Sequence, residues 1–335
     1  MEVVSNSDVR VMYEHAIMFR YSPNIISIEK LSTIDYVTVI VRSTGSTVGV
    51  LQFKMTFGGN SNVLRLNLTR ALQALGGEDV EVVVITSNNT NVNFAVSVID
   101  GAKSLIEDFA GPYAIRTWPG FEPIFDFIVN ESTTVYLKGR NSLPEVIGRL
   151  STDNRTGFSL QSFSYDLSDR GAGPFMIYAE AMECIGDVWE LNTVEYNVRP
   201  VTCNIRKPSI FLRWKDLQGR TWQWMFEIAE VSQTTNERLS YGRLPVSTPG
   251  STNEWTTVSN KTVQKRMRVV ATGITADEYK VVKTLATSSV VDAFVVGADV
   301  WYRVRVADGE FTDAKENYRE FEVQIEFPTQ ETQLS

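Results

Sequence analysis

The chain has one histidine, His15, and two cysteines, Cys184 and Cys203, in 335 residues. A single imidazole leaves no Ser-His-Asp or Cys-His arrangement that does not use His15, and no G-x-S-x-G elbow accompanies it. Multi-histidine metal sites are excluded. With no C-x-x-C or H-x-x-x-H spacing, the thiols and His15 make a poor zinc set. Two thiols in a chain this long are not a disulfide framework. Their apolar, strand-like settings predict buried, inert side chains, although neighbouring strands would permit a bridge. Neither phosphate-loop glycine signature is present, and Asp166-Leu167-Ser168-Asp169 lacks the spacing of a calcium loop. No metal and no cofactor are expected. No apolar run approaches the roughly 18 residues that span a bilayer, so no membrane insertion is expected. The start, Met1-Glu2-Val3-Val4-Ser5-Asn6, has neither a basic region nor a long apolar stretch, so synthesis in a cytoplasm is expected.

What is present is an ordinary globular mixture, 43% apolar and 21% charged, with a formal net charge of −8. Residues 1–205 hold 15 Lys/Arg against 23 Asp/Glu, whereas residues 206–335 hold 17 of each. The acidic excess therefore sits in the first two-thirds. Nucleic-acid binding needs clustered positive charge, and this balance argues against it.

Period-two alternation and β-branched runs dominate. Strands are predicted over 36–42, 48–55, 80–86, 93–99, 124–129, 134–138, 175–180, 189–196, 267–272 and 291–296. The last third reads as a hairpin, a capped helix and a second hairpin. The first hairpin runs through Ile210–Trp214, a turn over Asp216–Gly219, and Thr221–Phe226; the second joins Trp301–Val306 to Tyr318–Phe327 through Asp308-Gly309. Between the hairpins, Thr275 and Glu278 form a capping box ahead of the apolar stripe Tyr279, Val282, Leu285 and Ala286. A further helix is predicted over Asn67–Leu75, stopped by Gly76-Gly77, and another over Asp100–Phe109. Leu143–Leu150 is ambiguous, with Ser142 and Glu145 favouring a helical turn. Gln233–Asn260 is polar and broken by proline, as a long hairpin arm or a loop would be.

The expected fold is all-β, of mostly antiparallel sandwiches or barrels with a few short helices, in several domains. The expected divisions are an N-terminal β domain with one short helix over 1–111, a middle β-sandwich over 112–205 and a C-terminal β domain over 206–335 carrying the 275–289 helix.

Glycoside hydrolysis needs only two carboxylates, and Glu180, Glu183, Asp126 and Glu190 lie in aromatic settings. Solvated strand faces are the simpler explanation. Trp222 and Trp224 share one strand face, because they are two residues apart. Core packing, a protein interface and glycan contact are all open to them. Lys261, Lys265, Arg266 and Arg268 crowd one strand, as on a protected sheet edge or opposite an anionic partner. Those six residues are the candidate interface; no catalytic, cofactor-binding or metal residue is assigned.

Three stretches carry a resemblance to tail and baseplate proteins of phages and prophages of Bacteroides-type bacteria. Phe19-Arg20-Tyr21-Ser22-Pro23-Asn24-Ile25-Ile26 resembles the start of the family's N-terminal region. Trp118-Pro119-Gly120-Phe121 through Phe127, with Val135-Tyr136-Leu137-Lys138-Gly139, resembles its middle domain. Leu212-Arg213-Trp214-Lys215-Asp216-Leu217-Gln218-Gly219 with Trp222-Gln223-Trp224-Met225-Phe226 resembles its Leu-Arg-Trp hairpin. The helix over 275–289 and Phe321–Phe327 follow in the family's order. The turn of that hairpin usually carries a second Gly or Asn, which Lys215–Gly219 lacks. The resemblance implies a non-enzymatic virion component, similar to a distal-tail protein, that forms a ring with copies of itself and contacts other tail proteins. It implies residence in the virion after synthesis in a bacterial host cytoplasm. The rival expectation is a carbohydrate-binding β-sandwich for host adhesion, with a host surface glycan as partner. An exposed row of coplanar aromatics would favour it.

Overall fold

A computed structural model of the chain describes residues 1–44, 50–58, 61–76, 79–101, 111–151, 157–167, 170–171, 173–185, 188–201, 208–243, 254–295, 300–307 and 319–332. Over 236–243 and 254–261 the description is of the backbone. The chain is a multi-domain all-β protein with two compact units. One comprises 1–201 with 216–221, and the other 202–215 with 222–335.

The first unit begins with nine strands and a helix. They are β1 (Glu2–Ser5), β2 (Val9–Tyr13), β3 (Ile17–Phe19), β4 (Ile25–Lys30), β5 (Tyr36–Ser43), β6 (Leu51–Thr56), β7 (Val63–Asn67), α1 (Thr69–Leu75), β8 (Asp79–Thr86) and β9 (Asn91–Ile99). They form a four-stranded sheet, β1-β2-β4-β7, and a five-stranded sheet, β3-β9-β8-β5-β6. Alternation explains the packing. Val9 and Val11, Ile26 and Ile28, and Val37, Val39 and Val41 are fully buried, at every second position of their strands. They share one core with Val80, Val82 and Val84 and with Leu68, Ala71 and Leu72 of the helix region. Gly76 ends α1 with φ of +65°, a left-handed conformation that glycine adopts without a Cβ penalty.

The same unit continues through β10 (Tyr113–Thr117), β11 (Ile124–Val129), β12 (Thr133–Gly139), β13 (Glu145–Leu150), β14 (Ser159–Ser164), β15 (Phe175–Ile185) and β16 (Val188–Pro200). All seven belong to one sheet, of order β10-β16-β15-β11-β14, with β12 joining β15 to β13. Residues 143–150 are not a helical turn. Glu145–Leu150 pairs antiparallel with β12, and the Ser142 hydroxyl accepts from the Gly139 N–H at 2.8 Å rather than capping a helix. The β-branched pair Val146-Ile147 and an open partner strand outweigh the short capping pattern. The expected helix over Asp100–Phe109 lies, apart from Asp100 and Gly101, outside the described residues. The segments expected as separate domains over 1–111 and 112–205 fall in one compact unit, and among the described residues no sheet mixes their strands.

The second unit is a barrel built from β17 (Ser209–Lys215), β18 (Thr221–Arg243), β19 (Glu254–Ile274), β20 (Val291–Val295), β21 (Val300–Val306) and β22 (Arg319–Glu326), with β23 (Gln330–Thr332) added on β19. The order β18-β17-β20-β21-β22-β19 is closed by direct pairing of β18 with β19. Closure removes most sheet edges. The helix α2 (Ala276–Val282) starts where the capping box predicts. Thr275 Oγ1 accepts from the Glu278 N–H at 3.2 Å, and Glu278 Oε2 accepts from the Thr275 N–H at 2.9 Å. The helix continues as a 3₁₀ turn over Lys283–Thr287. Tyr279, Val282 and Leu285 are buried as the stripe requires, with Tyr279 edge-on to Phe321 of β22.

Candidate functional site: an exposed ribbon and a buried polar cluster

Strands of 23 and 21 residues are about four times the usual length. Their shared register runs from Glu227 opposite Val270 out to Arg243 opposite Glu254. β22 pairs with β19 only over 266–274, and β23 only over 261–263. Beyond Arg238 and Asn260 the two strands pair with each other alone among the described residues. This two-stranded ribbon extends for roughly 15–20 Å at about 3.3 Å per residue. Near its base, Ala229 through Thr235 of β18 are exposed at every consecutive position, so neither face of that strand is covered there. Gln233–Asn260 is thus a hairpin arm over its described part.

Four of the six candidate interface residues fall on β19. Lys261 lies on its described backbone, opposite Glu237 of β18 and Thr332 of β23. Lys265 is exposed, its ammonium 5.7 Å from the Phe327 ring centre. Arg266 meets Glu326 at 2.9 Å, and Arg268 meets Glu322 at 3.2 Å and Glu230 at 3.4 Å. The strand is not a protected edge. It is flanked by β18 on one side and by β22 and β23 on the other, and its two arginines are met by carboxylates across those ladders. Trp222 and Trp224 are not a surface either. They alternate with half-buried Thr221, Gln223 and Met225, and are 2% and 1% exposed. An assembly or glycan surface cannot be built on them.

Sequence reasoning missed a buried polar cluster in the first unit, although it had named two of its carboxylates separately. The turn residues 216–221 carry Arg220, which is 1% exposed. Asp216 Oδ1 accepts from the Arg220 N–H at 2.9 Å, and the Asp216 N–H donates to the Arg220 carbonyl at 2.9 Å. The Arg220 guanidinium lies 4.7 Å from the Tyr113 ring centre and donates from Nη1 to the Tyr113 hydroxyl. Tyr113 in turn donates to Glu183 Oε1 at 2.7 Å, which also accepts from the Gly111 N–H at 3.2 Å. Asp126 Oδ1 accepts from Ser162 at 2.5 Å, and its Oδ2 accepts from the Thr221 N–H. Tyr196 donates to the Asp126 carbonyl at 2.7 Å.

Burial pushes the Tyr113 and Tyr196 hydroxyls well above the ordinary phenol range, so both remain donors. Burial also raises Asp126, against the hydrogen bonds of Ser162 and Thr221 and the charge of Arg220. For Arg220, burial opposes the charge, but Tyr113, Tyr196, Asp216 and Glu183 together hold its pKa above the usual value. Gly219, with φ of +85°, closes the turn, and a Cβ there would stand 2.5 Å from the Asp100 carbonyl oxygen. Asp126 and Glu183 are 1% and 5% exposed, so this cluster offers no face on which a polymeric substrate could lie. Glu180 and Glu190 are exposed on β15 and β16.

No family model and no curated protein matches the chain. Among solved structures, a titin fragment is 12% identical, covering 56% of this chain and 95% of its own length at a TM-score of 0.20. A marsupial T cell receptor is 10% identical, covering 80% of this chain and 96% of its own at 0.21. Similarity at that level carries no argument about function.

Among the described residues no group of three or more His, Cys, Asp or Glu could hold a metal ion, and no helix is long and apolar enough to cross a membrane. His15 lies between β2 and β3, accepts from the Ile17 N–H at 3.1 Å, and has Trp189 and Phe158 as ring neighbours. Burial lowers its pKa. Cys184 is buried; Cys203 lies outside the described residues.

Proposed function

We propose that this chain is a structural subunit of a phage tail or baseplate, similar to a distal-tail protein, that assembles into a ring with copies of itself. The observation that supports assembly is the β18–β19 ribbon. A two-stranded ribbon is marginal in water, and three strands or a packed face are needed for independent stability. At its base β18 has exposed residues on both faces, and among the described residues no third strand lies along its outer part. Both deficits are made good when the ribbon lies on a neighbouring subunit. A closed ring needs such heterologous contacts, in which different patches of each copy meet.

The acidic first two-thirds of the chain is the candidate complement for Lys261 and Lys265, the two β19 lysines. The tail assignment, other tail proteins as partners, residence in the virion and a non-enzymatic role are supported by the three quoted stretches and their order along the chain. The carbohydrate-binding alternative loses its best platform with the burial of Trp222 and Trp224. Negative-stain electron microscopy of the purified chain should show closed rings, and purified tails should contain the chain. Single particles without rings, together with tails that lack it, would refute the proposal.

A further inference from the structure

The two sheets that begin the first unit end together on one flank. β6 and β7 are their last strands, and among the described residues β6 pairs with β5 alone and β7 with β4 alone. At the other flank Asn6, between β1 and β2, donates to the Thr90 hydroxyl, between β8 and β9, at 3.2 Å. At this one the Lys30 ammonium, at the end of β4, lies 5.5 Å from the centre of the Phe57 ring, just past β6. The hydrogen bonds of β5 show which groups of β6 remain open. The Ser87 N–H donates to the Tyr36 carbonyl at 3.1 Å on the β8 side, and the Phe57 N–H to the Asp35 carbonyl at 3.4 Å on the β6 side. Backbone groups alternate in direction along an antiparallel ladder. Leu51, Phe53 and Met55 therefore direct theirs to β5, whereas Gln52, Lys54 and Thr56 direct theirs to the open edge.

The side chains alternate in step. Leu51, Phe53 and Met55 of β6, with Leu64 and Leu66 of β7, pack against the shared core but are only half-buried. Gln52, Lys54 and Thr56 are exposed on the opposite face, with the Lys54 ammonium 4.0 Å from the Tyr36 ring centre. Bulges and prolines commonly protect such an edge. Here both edge ladders run without a register shift, and neither strand contains proline. Charge sets the flank apart as well. Residues 36–77 include four basic residues, Arg42, Lys54, Arg65 and Arg70, and no Asp or Glu, in a part of the chain that is otherwise rich in acid. Arg42 meets Glu81 at 2.7 Å. Lys54 and Arg65 are exposed on the two edge strands, so the flank is positive and has no carboxylate of its own strands to repel an acidic partner.

We propose that the open edge of β6 receives an extended segment of another protein in which apolar and acidic residues alternate. The segment adds as a strand. Its main chain pairs with the outward groups of Gln52, Lys54 and Thr56. Its apolar side chains cover Leu51, Phe53 and Met55, and its carboxylates lie on the outer face beside Lys54, because successive side chains of a strand point to opposite faces. The main-chain ladder supplies affinity, and the alternation and charge supply selection, as in other strand additions. The inference does not depend on ring assembly.

The test uses the full chain and a short fluorescein-labelled peptide alternating Val with Glu, followed by anisotropy. Saturable binding is expected, weakened about tenfold by Lys54→Glu, the usual worth of one charge-assisted contact. Gln52→Pro removes an N–H that faces the open edge and leaves the β5 ladder intact, a placement that edge strands tolerate; it should weaken binding by about tenfold or more. Thermal melts check that both variants fold, and Lys280→Gln, on the surface of α2, is a charge control that should leave binding unchanged. A peptide of the same composition with its Val and Glu in separate blocks should bind at least about tenfold more weakly, because only alternation sends the two kinds of side chain to opposite faces; this arm stands even if the proline variant fails to fold. No saturation at low salt, equal binding of the block peptide, or unchanged affinity in Lys54→Glu would overturn the proposal. So would an oligomer of the full chain that Gln52→Pro dissociates, since the edge would then belong to a second copy.

Discussion

At the scale of single residues, the first unit holds more buried charge than a β-rich core tolerates without compensation, and each charge is met. Removing one partner of a buried pair leaves the other uncompensated, which typically costs about 3–5 kcal/mol. Arg220→Met should therefore lower stability by about that amount in urea unfolding, because Glu183 and the Tyr113 hydroxyl lose their cation. Tyr113→Phe should cost about 1–3 kcal/mol, since it leaves one acceptor and one donor unmatched. Equal, near-zero effects of both changes would mean that the cluster contributes nothing to the fold.

Asp8 gives a test in pH. Hydrogen bonds from Ser32 at 2.6 Å, Thr90 at 2.7 Å and Thr86 at 3.2 Å hold its carboxyl below the ordinary aspartate range. The unfolded chain then takes up the proton first as pH falls. The stabilisation is fully present above about pH 4 and is lost as pH drops through the lowered folded pKa. Asp8→Asn should flatten the acid limb of the stability curve below pH 4, measured by thermal melts across pH. An unchanged acid limb would remove Asp8 from the account.

At the scale of elements, α2 is the best-specified piece of the chain. Its cap, partner and stripe all lie within a dozen residues, so Thr275→Ala should cost about 1 kcal/mol, read as a lower urea midpoint at unchanged slope. No loss would mean that tertiary packing alone fixes the helix start. A strand with clean alternation, Tyr36–Ser43, and a short apolar run, Ile124–Val129, were legible for the same local reason. Leu143–Leu150 was not, because a four-residue capping pattern, Ser142 to Glu145, cannot report that β12 stands ready to pair. The length of β18 and β19 was half visible: the apolar alternation ends at Phe226, and polar residues such as Gln233 and Thr234 do not reveal that pairing continues. The Arg220 cluster was invisible, because its partners Tyr113, Asp126 and Glu183 are brought together only by tertiary structure, from positions 37 to 107 residues away in sequence. Trp222 and Trp224 were readable as one face, but which side of the barrel wall that face takes is a property of closure. The β19 arginines were legible as a basic cluster, whereas their carboxylate partners on β18 and β22 depended on register.

At the scale of the whole molecule, a closed barrel carries a two-stranded ribbon that would be marginal in water alone. The central claim is that the ribbon exists for contact between copies. Sedimentation velocity on the full chain, beside a variant in which residues 236–261 are replaced by a short Asn-Gly turn, tests this most directly. The account predicts a discrete oligomer for the full chain, and a monomer with an unchanged melting temperature for the shortened one. A full chain that stays monomeric at high concentration, or a shortened chain that assembles equally well, would contradict it.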